Sequence, residues 1–293
     1  MYLFTLINIF VSRPEIEPGF FIFRLKDSCG AYSLACGLFF FNSILYPISA
    51  APNASTRIIG GSTTTINSYP YLSSLIHAPD GITFSQYCAG SIITTSAILT
   101  AAQCLMYVFL KEKYFISRAG SSYANTGGAV YNFRQGVLHP SFNSRTLDFD
   151  VAVLRTATPI TYVPNIVAAA SIAGPNYNLG DNQVVWAVGW GYTSVTGPSS
   201  ELLRHVQIWT VNQATCRSRY LEVGLQITDN MVCSGWLDYG GRDQCTGDSG
   251  GPLLHNNVVV GICSWGQQCA LPRYPGVNTR VSRFTSWIQS VAS

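Results

Sequence analysis

From Ile58 to the C-terminus, Gly, Pro, Ser and Asn cut the chain into short apolar runs, and this spacing limits its fold more than any other feature. Tyr71 to His77, Cys88 to Ile93, Ala97 to Ala101, Val151 to Arg155, Val184 to Trp190 and Val258 to Trp265 each read as a strand. Short strands at this spacing, punctuated by turn residues, specify an all-β barrel or sandwich. Only the last segment changes period. Val281, Phe284, Trp287, Ile288 and Val291 share one helical face, which predicts a C-terminal amphipathic helix packed on the body.

The chain of 293 residues is long enough for one large domain or two small ones. With 47% apolar and 11% charged residues, it is not a disordered chain. A net charge of +3 without any Lys/Arg cluster argues against nucleic acid as a partner. Of the 17 Lys and Arg residues, only Lys26, Lys111 and Lys113 are lysine. Arginine keeps its charge where lysine titrates, so this bias suits an alkaline medium, although compositional drift produces the same bias. Nine cysteines indicate an oxidising compartment.

Residues 1–50 read as a leader. Arg24 and Lys26 precede a stretch from Ser28 to Thr56 that lacks charge, is centred on Leu38-Phe39-Phe40-Phe41 and passes through Ser49-Ala50-Ala51. A basic flank, an apolar core and a small-residue exit describe a secretory signal peptide. Asn42 and Pro47 interrupt the apolar run and weaken a spanning helix; a retained signal anchor is the alternative. Residues 1–26 do not fit a compact signal peptide. Residues 51–57 form a short linker that ends in Arg57 and holds the glycosylation sequon Asn53-Ala54-Ser55.

Three segments carry chemistry. Gly247-Asp248-Ser249-Gly250-Gly251-Pro252 sets a serine in a glycine-rich turn. Such a turn pushes the hydroxyl outward, and the backbone N–H groups of Gly247 and Ser249 can face a carbonyl oxygen. Asp148-Phe149-Asp150-Val151-Ala152 supplies a carboxylate, and Leu99-Thr100-Ala101-Ala102-Gln103-Cys104 supplies the third segment.

Together these segments resemble the trypsins of the chymotrypsin-like serine proteases, from Ile58 to the C-terminus. The resemblance implies two six-stranded antiparallel β-barrels with a C-terminal α-helix and a cleft between the barrels. Residues 58–293 are then the peptidase domain, and 51–57 are a short activation propeptide. Cleavage after Arg57 by a trypsin-like protease would free the amine of Ile58 to pair with Asp248. Asp243, six residues before Ser249, would floor a pocket for Arg or Lys side chains. Ser264, Trp265, Gly266 and Gly276 would wall that pocket, with the glycines keeping it open. Gln244 departs from the vertebrate pattern and would narrow the pocket, shifting its Arg-to-Lys preference. The resemblance pairs Cys88 with Cys104, Cys216 with Cys233, and Cys245 with Cys269. Cys263 is left as an inert core thiol. No cofactor or metal is implied, because the loop near Ser121 to Asn132 holds no carboxylate for calcium.

One position breaks the pattern. Where the family carries its general-base histidine, this chain carries Gln103. An imidazole takes a proton from the serine and gives one to the leaving amine; an amide does neither. Gln103 has the length for its NH₂ to donate to Asp150 while its carbonyl accepts from Ser249. His77, His139, His205 and His255 lie in ordinary strand or loop contexts and offer no replacement. Two readings follow. In the first, the chain is a secreted family member with an intact basic-residue pocket and strongly impaired catalysis. It binds protein substrates or inhibitors that expose Arg or Lys. In the second, it is an active digestive endopeptidase in which Gln103 is a sequence error or is compensated. A third reading, a membrane-anchored version of either, rests on the ambiguous leader.

Overall fold

The computed structural model describes residues 58–106, 114–194 and 197–293. The leader, Arg57 and the Asn53 sequon lie outside the described residues. No described helix is long and apolar enough to cross a membrane.

In chain order the strands are β1 (Ser62–Thr63), β2 (Leu72–His77), β3 (Ser85–Thr94), β4 (Ala97–Thr100), β5 (Phe115–Ala119), β6 (Ala129–Leu138), β7 (Ala152–Thr156), β8 (Ser171–Ile172), β9 (Val184–Gly189), β10 (Arg204–Val211), β11 (Met231–Gly235), β12 (Pro252–His255), β13 (Val258–Trp265) and β14 (Gly276–Arg280). Helix α1 (Gln213–Leu221) follows β10, and α2 (Thr285–Ala292) ends the chain. Strands β2-β3-β4-β7-β6-β5 close one barrel. Strands β9-β10-β11-β14-β13-β12 close the other, with β1 added to β10 and β8 to β13. The all-β, two-barrel expectation holds.

Alternation sets the register. Along β10, Arg204, Val206, Ile208 and Thr210 are buried, while His205, Gln207 and Trp209 are partly exposed. Leu75, Ile92, Ile98, Leu99 and Val153 fill the first barrel, and Val185, Val206, Ile208, Leu253 and Val259 fill the second. Each such side chain stabilises the fold by about 1.5–3 kcal/mol on burial. The terminal helix is shorter than its apolar period. Val281 lies in a separate 3₁₀ turn (Val281–Arg283), and α2 begins at Thr285. That helix leaves the second barrel and packs on β4 and β7 of the first, where the Arg155 Nε donates to the Val291 carbonyl at 3.0 Å.

Disulfides join Cys88 to Cys104, Cys216 to Cys233 and Cys245 to Cys269, and Cys263 is a buried free thiol. Burial, with Asp248, Asp243 and Asp150 nearby, pushes its titration far up, so it is a poor nucleophile. The first disulfide spans 16 positions and anchors the Gln103 segment to β3. Replacing both Cys88 and Cys104 by Ala lowers the unfolding free energy by about 3 kcal/mol in the chain-entropy picture, read from urea midpoints at constant slope.

Candidate active site

Each barrel brings part of one cleft. The segment after β4 supplies Gln103, and the loop before β7 supplies Asp150. Ser249 comes from the loop before β12 in the second barrel. The approach to Asp150 is tightly wound. Leu147 and Phe149 adopt left-handed backbone angles of 52° and 56°, which bulky residues rarely hold. Asp148 holds this turn across the cleft, accepting at 2.9 Å from both Thr228 Oγ1 and Asn230 Nδ2 of the second barrel.

Asp150 is fully buried. Its carboxylate accepts from the Gln103 backbone N–H at 2.8 Å, from Gln103 Nε2 at 2.7 Å and from Ser264 Oγ at 2.5 Å. Thr279 Oγ1 donates to its backbone carbonyl at 2.7 Å. Burial raises its pKa, and these hydrogen bonds pull the other way.

The second amide proton of Gln103 goes to the Ser264 carbonyl at 2.6 Å. Both partners of Nε2 are acceptors, which fixes the amide orientation. The sequence reading paired the Gln103 carbonyl with Ser249. Among the described residues, however, the Ser249 hydroxyl makes no hydrogen bond. Both amide protons find strong acceptors on the Asp150 side, and that anchors the side chain there.

All four histidines are engaged elsewhere. His139 packs on Phe149, Phe284 and Trp287 with ring centroids 4.9–5.3 Å away. His205 Nδ1 bonds Tyr69 Oη at 2.7 Å, and His255 Nδ1 bonds Tyr177 Oη at 2.8 Å. His77 stands edge-on to Phe115.

The serine turn is built on close approach. Gly247 has φ +94°, and a methyl group on it would meet Gly191 Cα at 3.0 Å. Neither Gly247 N–H nor Ser249 N–H donates to a protein group among the described residues. The Ser249 carbonyl accepts from Ala89 N at 2.9 Å, which pins the turn to β3. Asp248 is buried beneath, accepting from Gly191 N at 2.8 Å and Cys245 N at 2.9 Å. Burial pushes its pKa up to about 6, and no side-chain cation among the described residues pairs with it. Ile58, whose α-amine would carry a positive charge once freed, is also fully buried.

A cavity of about 500 Å³ opens beside Ser249, lined by Gln103, Asp243, Gln244, Trp265, Gly266 and Gly276 among others. Asp243 lies in its lining, 2% exposed, accepting from Gln244 N and Ala270 N at 2.9 Å each. Burial first, and then the Asp248 charge, push its carboxyl up to about 7. The two glycines differ. A methyl at Gly276 would sit 2.7 Å from Asp243 Oδ1, whereas one at Gly266 would meet only ordinary contacts from 3.4 Å. Gly276 is therefore dictated by the carboxylate, and Gly266 by cavity space. Both amide atoms of Gln244 are buried without partners. Ser264 donates its hydroxyl to Asp150 and accepts Gln103 Nε2 on its carbonyl, in addition to lining the cavity.

The loop after β5 closes on itself through side chains. Ser121 Oγ donates to the Thr126 carbonyl at 2.6 Å and accepts from Tyr123 N at 2.9 Å, and the Arg118 guanidinium reaches the Gly127 carbonyl. Sequence reasoning passed over Gly191 and Gln86, and it named Asp148 in its motif without giving it a role. The spacing Gly189-Trp190-Gly191 was a usable signal, since a methyl on either glycine would lie 2.2–2.4 Å from the nearest Asp248 carboxylate oxygen.

Twin barrels with a serine turn, a buried carboxylate and an acid-lined cavity in one cleft define a chymotrypsin-like endopeptidase scaffold. The family profile described as Trypsin matches residues 58–288. Trypsin CFT-1 of Choristoneura fumiferana is 59% identical over 248 residues, covering 85% of this chain and 96% of that protein. "Trypsin, alkaline A" of Manduca sexta is 58% identical over 243 residues, covering 83% and 94%. Trypsin alpha of Drosophila melanogaster is 36% identical over 249 residues, covering 84% and 92%. The chain belongs to the trypsin family of serine endopeptidases.

Proposed function

We propose that this chain is a secreted member of the family that keeps the pocket for Arg or Lys and has lost most of its catalytic power. The carrying observation is Gln103, whose two amide protons are spent on Asp150 and the Ser264 carbonyl. The side-chain atom left over is an amide oxygen, which accepts a hydrogen bond without accepting a proton at useful pH. Ser249 then stays a neutral alcohol. In a comparable triad enzyme, loss of the base costs about six powers of ten in turnover, roughly 8 kcal/mol of barrier.

In this reading Asp243 receives the cation, Gly266 and Gly276 admit it, and Gly247 with Ser249 forms the oxyanion hole. Cleavage after Arg57 releases the Ile58 amine to pair with Asp248. The buried Asp248, held by two N–H groups and without a side-chain cation among the described residues, supports that role. The chain acts as a binding partner or decoy for proteins with exposed Arg or Lys. An alkaline gut lumen fits the arginine bias, and the names of three Manduca sexta relatives include "alkaline".

The second reading, a working digestive enzyme, draws on relatives named trypsins at 57–59% identity. A His codon becomes a Gln codon by one third-base change, so resequencing that codon decides whether Gln103 is genuine. With Gln103 verified, the cleaved chain binds benzamidine and is nearly silent on a chromogenic arginine substrate. Its residual rate climbs with pH, because hydroxide supplies the missing base. A flat profile rejects hydroxide assistance, and ordinary trypsin-like turnover rejects the impaired reading.

A further inference from the structure

We propose that Gln86 is a positioning residue for the oxyanion hole, holding the Gly247–Ser249 turn from the opposite barrel. It rests on the pocket and oxyanion reading above and adds a residue which that reading does not use.

Gln86 lies on β3, and its side-chain amide bonds both the serine turn and its own strand. Nε2 donates to the Gly247 carbonyl at 2.6 Å and to the Cys88 carbonyl at 3.0 Å. Its Oε1 is buried without a partner and would lie 3.2 Å from a methyl group on Gly247. A buried amide oxygen without a donor is costly, and the two bonds made by its nitrogen offset that cost. Gly191 and the Gln86 amide together crowd the space a side chain on Gly247 would need.

The bond fixes a peptide plane. The Gly247 carbonyl and the Asp248 N–H share one peptide unit, and Asp248 N donates to the Cys245 carbonyl at 2.9 Å. With Gln86 on one edge and Cys245 on the other, that plane cannot turn. Its two flanking N–H groups, on Gly247 and Ser249, keep a common direction. Ala89 of the same strand holds the Ser249 carbonyl, so β3 grips the turn at two points.

Gln86 is itself braced. Its backbone N–H donates to Asn125 Oδ1 at 2.8 Å. Asn125 Nδ2 donates to Glu201 Oε2 at 2.6 Å, and Asn125 N donates to Glu201 Oε1 at 3.1 Å. Glu201, in the second barrel, thereby orients an amide of the first, which in turn holds the strand carrying Gln86.

The test separates pocket from oxyanion hole. The chain produced from its complete sequence and cleaved after Arg57 is titrated with two probes. Benzamidine needs only the Asp243 pocket. A peptide boronic acid ending in boroarginine also forms a tetrahedral anionic adduct on Ser249, the serine proton passing to solvent, and places an oxygen at the Gly247 and Ser249 N–H groups. Gln86→Met keeps the stem and volume and deletes the donors. It weakens the boronate by about tenfold, the size of one net hydrogen bond, and leaves benzamidine within about twofold. Asn125→Ala weakens the boronate in the same direction by about threefold, which keeps the proposal testable should Gln86→Met not fold. In a Gln103→His background, Gln86→Met lowers kcat and leaves KM unchanged. Equal weakening of both probes, or an unchanged boronate affinity, overturns the positioning role. A parent chain that ignores benzamidine instead overturns the pocket reading beneath it, and the proposal falls with it.

Discussion

Gln103→His raises turnover of an arginine substrate by about four to six powers of ten over the parent, with little change in KM. The fold-change follows from what is already in place. Asp150 is buried with hydrogen bonds from Gln103 N and Ser264 Oγ that do not depend on the residue-103 side chain type. An imidazole in that seat would give one ring N–H to Asp150 Oδ2, where Gln103 Nε2 now donates at 2.7 Å, and leave its other nitrogen for Ser249. The carboxylate also gains. It now sits buried against neutral donors, and burial raises its pKa. A cationic imidazolium formed during reaction would pair with it. A gain of less than tenfold would mean that the defect lies elsewhere, in the turn or in activation. Steady-state kinetics on paired proteins from one preparation decides it.

Asp243→Asn lowers benzamidine affinity by about two to three powers of ten, the scale of losing one partner of a buried ion pair. The parent's binding also carries a pH signature. Burial holds the Asp243 carboxyl near a pKa of about 7 without a ligand, and a cation binds only its ionised form. Affinity therefore falls about tenfold per unit as pH drops below that value and is level above it. The stability sign is the reverse. The folded carboxyl holds its proton to higher pH than the unfolded one. The empty pocket therefore destabilises the fold progressively as pH rises from about 4 to about 7, and a bound cation relieves this. Isothermal titration across that window, with Asp243→Asn as the reference, checks both statements. A parent affinity that ignores pH, or a variant that binds as well as the parent, contradicts the assignment.

The sequence revealed the fold class and the motif segments because both are local. Period-two runs with β-branched residues read as strands, and the serine turn announces itself by its glycines. What escaped was long-range or half-exposed. Helix α1 buries only Cys216 and Tyr220, so it shows no apolar stripe; its one signal is the Asn212 cap, accepting from Thr215 N at 3.0 Å. Strand β6 buries only Tyr131 and shows no strict apolar alternation, which hides it among loops. The second proton of Gln103 finds a carbonyl 161 residues away, and Gln86 finds the Gly247 carbonyl at the same separation. No spacing rule reaches that far. The strained turn at Leu147 and Phe149 was hidden too, since neither residue type favours positive φ.

The direct measurement is the rate at which Ser249 is acylated. The chain cleaved after Arg57 and its Gln103→His variant are mixed with an active arginine ester under single-turnover conditions, and the covalent adduct is followed by intact-protein mass. The parent stays unmodified while the variant acylates to completion, and both bind benzamidine. Acylation of the verified parent at the variant's rate would contradict the impaired reading.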